Sequence, residues 1–162
     1  MPRISNSERH YRSSVILLVA GILAGCATQV IPSPLADLVV RDLTFGQLKE
    51  APAQYQARLV VFGGVVLSAR RMKDSTRIEV LQLPLDYALE PTGRLTESKG
   101  RFLAFHREFL DPATLPPGTR LTVVGEVTGA ETLPLDEATY TYPTLEIRSM
   151  TIWPRAYVPF PP

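Results

Sequence analysis

Five short apolar runs of strand length, glycine bends in the first and fourth, and an irregular insert between the third and fourth predict a small all-β domain. The chain has 162 residues, 45 % of them apolar, with 17 basic and 16 acidic side chains. That suits one globular domain with a real core, not a disordered or nucleic-acid-coating chain. The expected architecture is a closed or partly closed antiparallel barrel of five to six strands, of the OB type. An open antiparallel sandwich is the alternative.

Met1 to Arg12 carries Arg3, Arg9 and Arg12 against one acid, Glu8, and is followed by the apolar run Val15–Leu23 and then Ala24-Gly25-Cys26. A positive start, an apolar stretch and small residues are the pattern of a secretory signal segment, helical in the precursor. The apolar run is shorter than the roughly 20 residues needed to span a bilayer. Leu23-Ala24-Gly25-Cys26 resembles the bacterial lipobox. That resemblance implies cleavage before Cys26, a diacylglycerol on its sulfur and an acyl chain such as palmitate on the new amine. Two or three acyl chains anchor stably where one does not. Ala27 at the following position leans toward the outer membrane, with the domain on the periplasmic side. No second cysteine exists, so no internal disulfide is available.

Residues 1–25 are thus expected to be the signal peptide and 26–42 a lipidated tether, with a proline-containing course and a docked end as an option. The domain is expected over 43–154. Thr44-Phe-Gly-Gln-Leu-Lys-Glu50 reads as a short helix, with Thr44 as cap, Gln47 at the capping-box position and Pro52 closing it. The first strand spans Arg58–Ala69 and contains Gly63-Gly64, the mark of a bend, bulge or close backbone approach. A polar turn, Arg71–Ser75, leads to the second strand, Thr76–Leu83, where Ile78 and Val80 alternate with Arg77 and Glu79. The third strand is Gly100–His106. The fourth alternates cleanly from Leu121 to Thr128. The fifth, Thr144–Trp153, slips phase near Ser149 as a bulged strand does. Residues 155–162 form a proline-rich extended tail.

These residues carry a family resemblance. Phe62-Gly-Gly64, Thr76–Asp86 with its ending Leu-Gln-Leu-Pro-Leu-Asp, Gly100–Ala104, Phe109–Ala113, Val123–Gly129, Tyr142-Pro143 and Trp153 resemble the Slp-type, starvation-inducible outer membrane lipoproteins. The resemblance implies a lipid anchor, an outer-membrane address and induction in starvation or stationary phase. It implies no catalytic residues.

Other functions find little to stand on. After removal of residues 1–25 the single histidine is His106, and there is no Gly-x-Ser-x-Gly elbow, so no catalytic residues are expected and the protein is read as non-enzymatic. With Cys26 lipidated, soft metal ligation is excluded, and Asp111 and the pair Asp136-Glu137 read as solvated acids rather than a metal site. No cofactor is expected beyond the covalent lipid on Cys26. Arg77, Lys99 and Arg101 are too thin a basic set, with Phe102 and Phe105 on opposite faces, for a nucleic-acid groove. The expected partners are the membrane, through the anchor, and an envelope protein or peptidoglycan. The alternative is a small molecule or oligosaccharide bound on the barrel face of the second and third strands, where Arg77, Glu79, Gln82 and Arg101 would converge. Gly63, Gly64 and Gly125 read as barrel bends, and Trp153 as core or rim packing.

Overall fold

The computed structural model describes residues 29–154. The signal segment, Cys26 and the tail from residue 155 lie outside the described residues. Five strands build the domain: β1 (Leu59–Arg71), β2 (Thr76–Leu83), β3 (Arg101–His106), β4 (Arg120–Leu135) and β5 (Ala138–Trp153). Their order around the sheet is β1-β2-β3-β5-β4, with β4 pairing back onto β1. All pairings are antiparallel except β3 with β5, which run parallel through Leu103–Phe105 and Thr144–Glu146. This is the small closed sheet expected from the sequence, in the Greek-key order of an OB-type barrel.

Alternation fills the barrel. Val60, Phe62, Val66, Ile78, Val80, Phe102, Ala104, Leu121, Val123 and Leu145 point inward and form one core cluster. A short helix, α1 (Phe45–Glu50), closes one end by inserting Phe45 and Leu48. The Phe45 ring meets Phe62 edge-on at 5.4 Å and Phe102 at 6.0 Å. Its capping box is formed as the sequence predicts. The Gln47 amide donates to Thr44 Oγ1 at 3.3 Å, and the Thr44 amide donates to Gln47 Oε1 at 2.9 Å. The Gly63-Gly64 pair is a close-approach device. A Cβ on Gly64 would stand 1.9 Å from the Leu81 carbonyl oxygen, and one on Gly63 would stand 2.7 Å from that of Leu121. Trp153 is rim packing, its indole N–H donating to Thr122 Oγ1 at 3.0 Å.

Three features differ from the sequence reading. β4 and β5 are each 16 residues long, and their outer ends, 130–135 and 138–143, form an arm beyond the barrel. Asp136-Glu137 is the two-residue turn of that arm, with Asp136 at φ 52°, a conformation Asp tolerates better than most residues. The expected tether, for which a docked end was an option, is held to the barrel at several points, while Ser33, Pro34, Asp37 and Leu38 stay exposed. Val30 and Ile31 are buried, Ile31 packs with Leu59 and Val124, and the Val40 amide donates to the Leu59 carbonyl at 2.8 Å. Finally, β1 bulges at Leu67, where Val66 faces Val80 but Ser68 faces Glu79. A regular strand counted from Val60 and Phe62 would send Ser68 and Arg70 into the core. The bulge turns both to the outside.

Candidate functional site

The outer face of β1, β2 and β3 carries most of the predicted ligand residues. Arg77 and Glu79 alternate with the buried Ile78 and Val80, so they point away from the core. Arg101 faces Leu81 across the β2–β3 ladder and shares that outer face. Gln82 does not. It has the inward parity of Val80, is 8 % exposed, and its Oε1 accepts the Lys99 amide at 3.1 Å. The structure therefore brings together Arg77, Glu79 and Arg101 and sets Gln82 apart, because strand side chains alternate with a period of two.

Glu79 is the hub of this face. Arg101 Nη1 donates to its Oε1 at 2.8 Å, the Tyr142 hydroxyl donates to the same oxygen at 3.2 Å, and the Ser68 hydroxyl reaches Oε2 at 3.3 Å. The Arg101 amide donates to the Tyr140 hydroxyl at 3.0 Å. These contacts seat the β4–β5 arm on the barrel. The hydrogen bond to Glu79 raises the Arg101 pKa above its ordinary value. Burial, and then the neighbouring Glu79 charge, raise that of the Tyr142 phenol.

Between arm and barrel lies a cleft of about 260 Å³. Ser68, Arg70, Arg77 and Glu79 form its polar side, and Leu103, Leu133, Pro134 and Tyr142 its apolar side. Arg70 escaped sequence reasoning because the first strand was expected to end at Ala69, whereas β1 runs on to Arg71, and nothing local in the sequence marks the bulge that turns Arg70 outward.

A second polar cluster lies where β4 and β5 cross the barrel. Arg148 Nη2 donates to Glu126 Oε2 at 2.7 Å, Arg148 Nη1 lies 2.8 Å from Glu146 Oε1, and Arg107 Nη2 meets Glu146 Oε2 at 2.5 Å. The Arg148–Glu146 contact is an ion pair whose geometry falls short of a hydrogen bond, leaving the buried Oε1 without a donor. The Arg148 pKa is raised, chiefly by its hydrogen bond to Glu126 and against the opposing effect of burial. His106 borders this cluster, its Nδ1 3.1 Å from the Glu108 carbonyl oxygen. Asp111 caps a 3₁₀ turn, Oδ1 accepting the Ala113 amide at 2.9 Å.

Residues 23–160 match the profile of the family described as "Outer membrane lipoprotein Slp family". The chain belongs to the Slp family of outer membrane lipoproteins. Its match to Escherichia coli K12 "Uncharacterized lipoprotein YeaY" is 32 % identical over 139 residues, covering 82 % of this chain and 67 % of that protein. An "Uncharacterized protein" of Haemophilus influenzae is 32 % identical over 97 residues, 59 % of this chain and 52 % of the relative. A solved structure described as "Crystal structure of a putative aspartyl-tRNA synthetase from Leishmania major Friedlin" superposes with a TM-score of 0.41 at 9 % identity, covering 86 % of this chain and 26 % of that one. That likeness is too distant to inform fold or function. The stretches that carried the resemblance in the sequence now have places in the Slp-family barrel. Phe62–Gly64 lies where β1 approaches its neighbours closely, Thr76–Leu83 is β2, and Tyr142-Pro143 sits at the base of the arm.

Proposed function

We propose that Cys26 is the lipid-bearing N-terminus of the mature protein and that the barrel is a non-enzymatic interaction module held close against the periplasmic surface of the outer membrane. The observation that carries this reading is the burial of Val30 and Ile31 on the barrel, directly after the lipobox-like Leu23–Cys26. The family match opens at residue 23, the first position of that tetrapeptide. Only residues 27–29 separate Cys26 from packed chain, and at roughly 3.5 Å per residue the reach is no more than about 14 Å. The outer face of β1 and β4 that carries residues 31–40 and Leu89 then faces the lipid. Leu38 and Tyr87, 63 % and 101 % exposed, belong to the segments on that face and suit the bilayer interface. The β1–β2 turn at residues 72–75 lies at the far end of β1 and is left to meet envelope components. Induction in starvation belongs to the same reading and is read by comparing transcript abundance in stationary and growing cells.

Metabolic labelling tests the anchor. Radiolabelled palmitate is expected to enter the wild-type protein, with fractionation into the outer membrane, and to be absent from Cys26→Ser. Label in that variant removes the proposal. Orientation is tested separately with nitroxide-labelled lipids, which should broaden resonances of residues 85–89 more strongly than those of 72–75.

A second reading, ligand binding on the outer barrel face, is favoured by the cleft between the sheet and the β4–β5 arm.

A further inference from the structure

Like-charged side chains stand directly opposite each other twice in this barrel. Glu126 faces Glu146 across the β4–β5 ladder, and Arg70 faces Arg77 across the β1–β2 ladder. Directly opposed like charges destabilise a sheet unless something compensates them. The acidic pair is compensated from within: Arg148 contacts both carboxylates and Arg107 adds a second cation to Glu146. The basic pair is not. Among the described residues neither the Arg70 nor the Arg77 guanidinium has a hydrogen-bond or ion-pair partner. Glu79, the carboxylate beside them, is already held by Arg101, Tyr142 and Ser68.

We infer that Arg70 and Arg77 form the anion-binding side of a site for a phosphorylated sugar, free or as the headgroup of a lipid. The inference deepens the ligand-binding reading of this face and stands independently of the lipid anchor. A phosphate monoester carries the charge and the number of acceptor oxygens that two guanidinium forks need. A lone carboxylate is satisfied by one fork. The Ser68 hydroxyl borders the same space, and Leu133, Pro134 and Tyr142 supply the apolar wall against which a sugar ring packs its C–H face. At about 260 Å³ the cleft is smaller than the roughly 300–1,000 Å³ of pockets for drug-sized ligands, and it suits one ring with its phosphate.

The test uses the full protein as cells make it, extracted in a neutral polyoxyethylene detergent and titrated calorimetrically with glucosamine 1-phosphate. Saturable binding is expected, with inorganic phosphate weaker and glucosamine silent. Arg70→Gln and Arg77→Gln should each weaken it roughly tenfold or more, since each removes a charge-assisted hydrogen-bonding group. Arg77→Lys should recover part of the affinity, and Arg94→Gln, outside the cleft, should leave it unchanged. Phosphatidylcholine vesicles with and without a phosphorylated glucosamine lipid distinguish the two sources. Recruitment to the doped vesicles without binding of the free sugar assigns the site to a headgroup, and the reverse assigns it to a soluble ligand. No saturable binding in either arm, or binding indifferent to both Gln variants, overturns the site. Equal affinity for inorganic phosphate and the sugar phosphate overturns its sugar half. Unchanged circular dichroism and an unfolding midpoint no lower than wild type in the Gln variants separate lost binding from lost fold.

Discussion

The acidic pair on β4–β5 and the basic pair on β1–β2 are built alike and finished differently. Each sits beside a bulge: Arg148 is the extra residue that lets Ser149 face Val124 and Ile147 face Gly125, and Leu67 is the extra residue before Ser68. In the first case the bulged residue is itself the counter-ion. In the second it is an apolar residue, and no counter-ion follows. The contrast shows that the geometry of a bulge decides which side chains share a face, while the identity of the extra residue decides whether their charges cancel within the fold. A cluster that cancels internally has little left to offer a ligand. One that does not cancel remains available for binding.

The comparison breaks first at Arg148. Replacing it with Ala leaves Glu126 and Glu146 opposed, with Glu146 mostly buried and only the exposed Arg107 to compensate. Fully buried pairs cost about 3–5 kcal/mol when one partner is removed. Arg148 is 41 % exposed, so solvent screening lowers the expected loss to about 1–2 kcal/mol, read from urea unfolding. Adding Glu126→Gln to that variant should restore about half of it. A single variant as stable as wild type would show that the network contributes nothing.

Tyr142→Phe probes the hub between the two faces and should cost about 1 kcal/mol at neutral pH, the usual value of one net hydrogen bond. Its pH dependence has a definite sign. The folded-state pKa of Tyr142 is raised above its unfolded value of about 10. The folded protein therefore holds the phenolic proton more tightly, and the associated stability is present below about pH 10 and lost as pH rises through the folded pKa. The gap between wild type and Tyr142→Phe should narrow above pH 10. A gap constant from pH 7 to 11 would rule out the raised pKa that burial and the Glu79 charge give this phenol.

What the sequence made legible is what is local. Thr44 and Gln47 announce their capping box because both partners lie within four residues. β2 is legible because Arg77, Ile78, Glu79 and Val80 alternate without interruption, and that alternation correctly turns Arg77 and Glu79 outward. The same rule, applied to Gln82, separates it from them, yet a list of polar residues on adjacent strands conceals that parity. The β4–β5 arm was missed although Tyr140 and Tyr142 alternate with Thr139 and Thr141. Pro134 and Pro143 interrupt the run, and the Asp136-Glu137 turn has no glycine to mark it. Proline is tolerated on edge strands such as these. Val30 and Ile31 are too few to show a period, so only the fold reveals that they are docked. Arg70 was illegible for the deeper reason that a bulge is a tertiary choice, made where β1 leaves its ladder with β4 after Val65 and continues paired with β2.

The smallest predicted effect is the most discriminating. If Arg70 and Arg77 face each other uncompensated, Arg77→Gln should stabilise the ligand-free protein by about 0.5 kcal/mol, within the range assigned to cross-strand pairs. The gain should shrink as added salt screens the repulsion. Glu126→Gln on the other face should show no such gain, because Arg148 already offsets its charge. Paired urea titrations of the two variants at low and at high salt measure the difference directly. Equal behaviour would mean that solvent alone relieves the arginine pair, and the asymmetry between the two faces would lose its energetic meaning. A gain confined to Arg77→Gln would identify β1–β2 as the place where this barrel gives up stability to keep a cationic site open.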